Sequence, residues 1–165
     1  MIVRALLTDI PAIQQVAHQT WPDTFKEILT PAQIDYMLNW MYSTEALAAS
    51  INHPNQSFWL FQEEGKTLGF AGIEHQYNGL KATKLHKIYV LPQAQGKQIG
   101  KQLLEHVILE ARTAGSTALL LNVNRYNNAT TFYEKQGFSI TNEVNIDIGN
   151  GYLMEDFEME LSIIN

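Results

Sequence analysis

The stretch "LPQAQGKQIGKQLLEHVILEA" (residues 91–111) joins a polar run that contains two glycines to an amphipathic helix. In its second half, apolar residues recur at three- and four-residue intervals and predict one buried stripe: Ile99, Leu103, Leu104, Val107, Ile108 and Ala111. The first turn of a helix has free N–H groups and a partial positive charge, so "QAQGKQIGK" can bind a phosphate. Taken alone, an ordinary polar helix start explains this run equally well.

Strands and helices alternate on both sides of this stretch. Turns such as "EGK" at residues 64–66 and "GNG" at 149–151 separate runs with strand or helix periodicity. The predicted order is a strand at 1–5, helices at 10–19, from 31 and at 43–51, two strands within 57–77, a strand at 84–91, the helix from 96 to a stop at 115, a strand at 118–123, a short helix ending at 137, and strands at 138–148 and 152–161. We therefore expect an α/β (α+β) fold in one domain over residues 1–165, with a mixed, mostly antiparallel sheet of about seven strands and helices on both faces.

Composition excludes several classes of function. The chain has 11 Lys and Arg against 17 Asp and Glu, a net charge of −6, which makes duplex nucleic acid a poor partner. An acidic surface instead raises the local concentration of cations such as amines. There is no cysteine, so disulfides, thiolate metal sites and a cysteine nucleophile are excluded, and no metal is expected. No apolar run reaches membrane-spanning length, so we expect a cytoplasmic protein with no membrane partner.

A second polar constellation follows the predicted strand at 118–123, in "LNVNRYNNATTFYEKQGF" (residues 121–138). Asn124, Asn127 and Asn128 come directly after this strand, where their amides can bind a ligand. Tyr133 lies on the short helix behind them. From these residues alone, Tyr133 is either a half-buried core aromatic or a catalytic acid.

Together, the two stretches resemble the GCN5-related N-acetyltransferase (GNAT) family. That family has a hydrophobic strand, then [RQ]-x-x-G-x-[GA], a long helix, a buried strand, and a helix with a Tyr before x-x-x-G-F, in the order and spacing found at residues 84–138. Within it, "HKIYV", "LNVNRYNNA" and "DIGNGYLMEDFEMEL" are most similar to the bacterial spermine/spermidine acetyltransferases. The resemblance implies the GNAT fold and transfer of an acetyl group from acetyl-CoA to an amine.

The resemblance also assigns cofactor contacts. Main-chain groups on a splayed strand would meet the pantetheine arm and the thioester, the polar loop would surround the pyrophosphate, an asparagine would contact the pantetheine, and a tyrosine would approach the sulfur. The strand residues are Ile88, Tyr89 and Val90, and the loop residues are Gln95, Gly96, Lys97, Gln98, Ile99, Gly100 and Lys101. The asparagine is Asn127, alone or with Asn124, and the tyrosine is Tyr133.

Two residues depart from the family pattern. Tyr126 stands where an asparagine often lies, which leaves the choice among the nearby asparagines open. Gln98 replaces the middle glycine of the loop. We expect Gln98 to lie in the first helical turn with ordinary backbone angles, so that its N–H can still donate. Gln98→Gly should then change acetyl-CoA affinity by less than about tenfold.

The implied reaction is direct attack by a primary amine in a ternary complex. A backbone N–H at Ile88–Tyr89 would donate to the thioester oxygen, and Tyr133 would protonate the leaving thiolate. For the base that deprotonates the amine, the sequence offers Glu74 first, then His86 and then His75. Because neighbouring strand residues point to opposite faces, at most one of Glu74 and His75 can face the cleft. A partly exposed strand residue with no catalytic role is the other interpretation of each.

The acceptor is the open part of the prediction. In the family, the wall of the acceptor site would include Trp21, Phe25 and Tyr36, although packing of helices onto the sheet also explains these aromatic residues. A small-molecule amine, and a polyamine in particular, is predicted, with its second ammonium held by carboxylates from the set Asp23, Glu27, Asp35, Glu155 and Asp156. The alternatives are a protein or peptide N-acetyltransferase and a non-catalytic CoA-binding regulatory domain. A homodimer is a further expectation from the resemblance.

Overall fold

A computed structural model describes residues 1–164. Its seven strands form one sheet in the order β1-β2-β3-β4-β5-β7-β6. The strands are β1 (Ile2–Arg4), β2 (Gln56–Glu63), β3 (Lys66–Glu74), β4 (Ala82–Val90), β5 (Ala118–Asn124), β6 (Ser139–Gly149) and β7 (Tyr152–Ser162). Neighbours are antiparallel except for β4 and β5, which are parallel. The mixed, mostly antiparallel seven-stranded sheet is confirmed.

Helices cover both faces of this sheet. They are α1 (Ile10–Phe25), α2 (Pro31–Met41), α3 (Thr44–Asn52), α4 (Ile99–Thr113) and α5 (Ala129–Lys135). Phe58 and Trp59 are neighbours on β2 and therefore point to opposite faces. The Phe58 ring lies 6.1 Å from that of Phe70, which contacts Tyr42 between α2 and α3, whereas the Trp59 ring lies 4.4 Å from His106 of α4. No helix within residues 1–164 combines the length and apolarity needed to cross a membrane.

Helix α1 runs further than predicted. The sequence pattern ended it at residue 19, but it continues through Pro22 to Phe25. Proline removes only the one N–H that would bond four residues back. Burial of Trp21 and Phe25, whose ring centroids lie 4.6 Å apart, outweighs that loss. This extra turn forms one wall of the region described below.

Strand β4 contains the irregularity that opens the sheet. Gly72 of β3 pairs with Lys87 and Ile73 with Leu85, so His86 is an extra residue, a β-bulge. The parallel ladder between β4 and β5 ends at the Leu85–Leu121 pair, although both strands continue beyond it. A gap therefore opens between the two strands, as the family resemblance implies.

The expectation of ordinary helical angles at Gln98 is wrong. Its φ of 60° and ψ of 23° place it in the left-handed region, directly before the first residue of α4. Gly96 also has a positive φ, of 88°, and these two residues turn the chain from the extended Gln95 into the helix. Left-handed angles crowd a Cβ, which costs about 1–2 kcal/mol for most residues and nothing comparable for glycine.

Gln98→Gly should therefore stabilise the protein, raising the free energy of unfolding by up to about 1 kcal/mol after the greater flexibility of glycine in the unfolded chain is counted. Gln95→Gly is the matched control: it changes the same residue type in the same loop, but at a φ of −67°. It should lower stability, because it also removes the hydrogen bond from Gln95 Nε2 to Val90 O (3.3 Å). Chemical denaturation measures both; equal destabilisation by the two variants would contradict the strain at Gln98.

Candidate active site

Two cavities meet at the gap between β4 and β5. The first, of about 690 Å³, lies between α1, β4, the loop before α4, and α5, and we call it the loop cleft. The second, of about 440 Å³, lies between α1, α2, β4, β5 and the β6–β7 hairpin, and we call it the inner pocket. The residues that line both cavities are Ile88, Tyr89, Asn127, Ala129 and Tyr133. A ligand extending from one cavity into the other must pass these five residues.

The loop before α4, which lines the loop cleft, carries a run of backbone N–H groups without acceptors in residues 1–164. No backbone N–H from Gly96 to Lys101 donates to an acceptor in the described chain, and the first helical bond is that from Gln102 N to Gln98 O (3.0 Å). A Cβ built on Gly96 would meet nothing within 4 Å, so the space beside the loop is open. This run of free donors at the positive end of α4 fits a pyrophosphate.

The exposed edge of β4 supplies a second set of backbone groups. Leu91 N donates to Leu68 O of the β3 side (2.8 Å), and polar groups alternate between the two edges of a strand. The N–H and C=O groups of Ile88 and Val90 therefore face the gap, while those of Tyr89 face β3. Of the two residues offered as the N–H donor to the thioester oxygen, the geometry favours Ile88.

The asparagines after β5 divide between the cavities. Asn127 lines both, whereas Asn124 lines only the inner pocket. Their side-chain oxygens fix the turn into α5: Asn124 Oδ1 accepts from Tyr126 N (2.9 Å) and Asn127 Oδ1 from Ala129 N (3.0 Å). Each amide NH₂ is left to contact a ligand, and Asn127 is the one placed where the cavities join.

Tyr133 of α5 also lies at the junction. Its side chain is 7% exposed, and its ring packs edge-on against Phe132 and Phe138, at 5.3 and 5.6 Å between centroids. Burial raises the pKa of the Tyr133 hydroxyl well above its usual value, so the group holds its proton at neutral pH. A phenol held in this way can donate a proton to a developing anion.

Of the three candidate bases, two lie together and one lies apart. His86, on the bulge of β4, lines the inner pocket, and its Nε2 is 3.6 Å from Glu74 Oε2. Burial, aided by the Lys87 ammonium, lowers the pKa of His86, so the imidazole is neutral at pH 7 and can accept a proton. His75 points to the other side, where Nδ1 lies 2.8 Å from Thr83 Oγ1.

The inner pocket contains two lysines that sequence reasoning missed. Lys84 Nζ donates to Asn122 Oδ1, and Asn122 Nδ2 in turn donates to Asp156 Oδ2 (3.4 Å). Lys87 lies over the rings of Tyr42 and Phe58, 5.7 Å from each centroid. Simple strand alternation would have turned Lys87 away from Lys84; the bulge puts His86 and Lys87 on one face.

The inner pocket is closed on its outer side by contacts between α2 and the β6–β7 hairpin. The Tyr36 hydroxyl donates to Ile148 O (2.7 Å), and Gln33 Nε2 donates to Leu153 O (2.9 Å). Gly149 is needed for this contact, because its φ is 86° and a Cβ there would lie 3.0 Å from the Tyr36 hydroxyl. Tyr36 thus closes the pocket without lining it, whereas Trp21 and Phe25 line it as expected.

Several residues predicted at the site lie elsewhere. Lys97 Nζ is 3.9 Å from Glu63 and does not line the loop cleft. Glu155, predicted to bind the acceptor, is drawn instead towards Arg125, at 3.6 Å. Of the other carboxylates, Asp23 lines the loop cleft, Glu27 and Asp35 are exposed and line neither cavity, and Asp156 alone lines the inner pocket. The structure also adds Thr20 and Thr24 of α1 to the loop cleft.

Comparison with known proteins agrees with this arrangement. A family model described as an acetyltransferase (GNAT) domain matches residues 25–161. The chain is 32% identical over 132 residues to the 5-NmdU N-acetyltransferase of Pseudomonas phage PaMx11, covering 78% of this chain and 89% of that one. It is 27% identical over 144 residues to the aminoalkylphosphonate N-acetyltransferase of Salmonella typhimurium, covering 84% and 93%.

Among solved structures, the PaiA N-acetyltransferase of Thermoplasma acidophilum, in complex with coenzyme A, superposes with a TM-score of 0.84. The two share 24% identity over 98% of each chain, which supports the fold. With a matching family model over most of its length and the splayed strand pair of that fold, the chain belongs to the GCN5-related N-acetyltransferase family.

Proposed function

We propose that this protein acetylates the primary amine of a small molecule, by direct attack on acetyl-CoA in a ternary complex. The family is one of acetyl-CoA-dependent N-acetyltransferases, and the proposal concerns the acceptor and the residues. The observation that carries it is the junction of two cavities at the β4–β5 gap, one beside a loop with free backbone N–H groups and the other bridged on its outer side by side-chain hydrogen bonds.

The loop cleft fits the cofactor. The free N–H groups from Gly96 to Lys101 would hold the pyrophosphate, with the Lys101 side chain beside them. The gap-facing groups of Ile88 and Val90, with the Asn127 amide, would bind the pantetheine arm. When bound, acetyl-CoA supplies an activated acetyl thioester. The chain's own contribution is to orient that group at the junction and to manage two protons.

The proton transfers are assigned to residues on opposite sides of the junction. Ile88 N–H would donate to the carbonyl oxygen of the acetyl group, and the Tyr133 hydroxyl would donate its proton to the departing sulfur. His86 accepts the amine proton, directly or through a water, and the Glu74 carboxylate 3.6 Å away stabilises the resulting imidazolium. The lowered pKa keeps His86 unprotonated at pH 7 and also weakens it as a base, so the Glu74 carboxylate, which acts to raise that pKa, is part of the proposed base.

A small acceptor is supported by the closed outer side of the inner pocket. A peptide acceptor would need an open groove where Tyr36 and Gln33 bridge α2 to the β6–β7 hairpin. The two curated relatives described above act, by their names, on a modified nucleoside and on aminoalkylphosphonates. A polyamine gains less support, because the carboxylates expected to bind its second ammonium are dispersed and only Asp156 lines the pocket.

The class of acceptor can be tested with an acceptor panel. We expect amine-dependent release of CoA with free amino acids or other small amines, and none above background with peptides carrying a free N-terminus or an internal lysine. The reason is that the hydrogen bonds between α2 and the β6–β7 hairpin leave no open groove for a peptide. Liquid chromatography with mass spectrometry of the products confirms N-acetylation. Turnover confined to the peptides would contradict the proposal, and binding of acetyl-CoA without any turnover would indicate a regulatory domain.

Tyr133→Phe should lower kcat about 100-fold while leaving the dissociation constant of acetyl-CoA unchanged, because only the proton donor is removed. Tyr126→Phe is the control, since Tyr126 is 61% exposed and lines neither cavity. Steady-state kinetics and calorimetry measure the two quantities. If the Tyr133 variant keeps the kcat of the wild type, another group protonates the thiolate.

His86→Gln should likewise lower kcat by about 100-fold, because glutamine cannot accept the amine proton. His75→Gln provides a control on the opposite face of the sheet, where the imidazole contacts Thr83. Acetyl-CoA affinity should be the same in both variants. Equal rates for the two variants would remove His86 as the base.

A further inference from the structure

The inner pocket is positively charged, although the protein carries a net charge of −6. Its charged lining residues are Lys84, Lys87 and Asp156, which gives two positive charges against one negative. Burial raises the pKa of Asp156 and lowers that of Lys84. An acceptor with several ammonium groups meets repulsion here.

The two lysines differ in what they contact. Lys84 is held by Asn122, within reach of Asp156, and its charge is partly balanced. The Lys87 side chain makes no hydrogen bond and no ion pair with the described residues 1–164; its ammonium lies over the faces of Tyr42 and Phe58. Burial lowers the pKa of Lys87 to about 8, so the side chain is still mostly cationic at pH 7. A cation in such surroundings favours an anionic partner.

Unused polar atoms occur around the same lysine. The Tyr42 hydroxyl, whose ring lies beneath the Lys87 ammonium, and Trp21 Nε1, on a ring 6.0 Å from that of Tyr42, are both buried, and in the described chain each has at most the other as a hydrogen-bond partner. Tyr42 is 1% exposed and Trp21 3%, and both belong to residues that line the inner pocket. Even if Trp21 Nε1 donates to the Tyr42 oxygen, the Tyr42 O–H is left as a buried donor without an acceptor in the described chain, and such donors are rare in folded proteins.

We propose that the acceptor carries an anionic oxyacid group, a carboxylate or a phosphonate, close to its amine, and that Lys87 binds this group beside Tyr42. The proposal rests on the acetyl transfer proposed above and names its acceptor class. Lys87 lines the same pocket as Ile88, which also lines the loop cleft, so an anion on Lys87 would hold the acceptor in the cavity that opens onto the junction. The substrate class is thus amino acids or aminophosphonates.

The same charges assist the chemistry. A neighbouring cation lowers the pKa of an amine, because it disfavours the ammonium form. An anionic group seated on Lys87 neutralises the repulsion that would otherwise keep the acceptor out, while Lys84 continues to favour the neutral, nucleophilic amine. A polyamine lacks the anion and meets only the repulsion.

The test compares amino acids with their carboxamides. The amide has the same side chain and a less basic amine, so a faster reaction of the acid cannot come from easier deprotonation. We expect kcat/KM for the acid to exceed that for the amide by at least about tenfold, as for a hydrogen bond to a charged group. An aminoalkylphosphonate series, run against simple alkylamines, distinguishes phosphonate from carboxylate recognition.

Variants at Lys87 test whether this residue causes the preference for the acid over the amide. Lys87→Met keeps the apolar stem and removes the charge; it should raise KM for the preferred acid at least about tenfold more than it raises KM for the amide. Lys87→Arg should restore part of the loss. Lys81→Met, at an exposed residue outside both cavities, is the control. Calorimetric binding of the N-acetylated acid, which needs no turnover, should weaken in parallel with the rise in KM.

Each outcome decides one of the two proposals. Acids and amides that react equally, diamines that react best, or a Lys87→Met variant that impairs acid and amide alike would overturn the anion site and leave small-molecule acetylation standing. If acetyl-CoA binds and no amine of any class is acetylated, the proposed function fails and the acceptor assignment fails with it.

Discussion

The end of the parallel ladder at the Leu85–Leu121 pair is the constraint on which the rest of the structure depends. Beyond it, β4 keeps its bonds to β3 and loses those to β5, so the gap-facing groups of Ile88 and Val90 have no partner within the sheet. Unpaired backbone groups are costly when buried and are useful when a ligand with amides can pair with them. The gap therefore joins two cavities that a continuous sheet would have kept apart.

The bulge at His86 links this gap to the polar character of the inner pocket. One extra residue in β4 turns two neighbours, His86 and Lys87, towards the same side, where regular alternation would separate them. Glu74 of the adjacent strand then reaches His86, while Lys87 is left among aromatic rings. A single backbone irregularity thus supplies both the candidate base and the candidate anion contact.

The hydrophobic periodicity along the chain was enough to predict the strands and helices, and the spacing between the two motifs was enough to predict the family. What the sequence could not show depends on backbone angles and on distant contacts. The residue types around Gln98 are those of an ordinary polar helix start and do not indicate its left-handed backbone. The residue types of "KLHKIYV" likewise do not indicate the bulge. Glu155 was predicted in the acceptor site because it is acidic, and the sequence did not show that this residue of β7 contacts Arg125 in the loop after β5.

Closure of the inner pocket and charge inside it limit the acceptor in different ways. The hydrogen bonds from Tyr36 and Gln33 to the β6–β7 hairpin restrict size, because an acceptor must fit beneath them. Lys87 restricts the charge of the acceptor, since a partly buried ammonium without an ionic partner favours an anion over a second cation. A free amino acid satisfies both restrictions, whereas an internal lysine of a protein satisfies neither: its chain is too large and its neighbouring carbonyl group is already an amide. Size and charge together therefore favour a small, negatively charged amine.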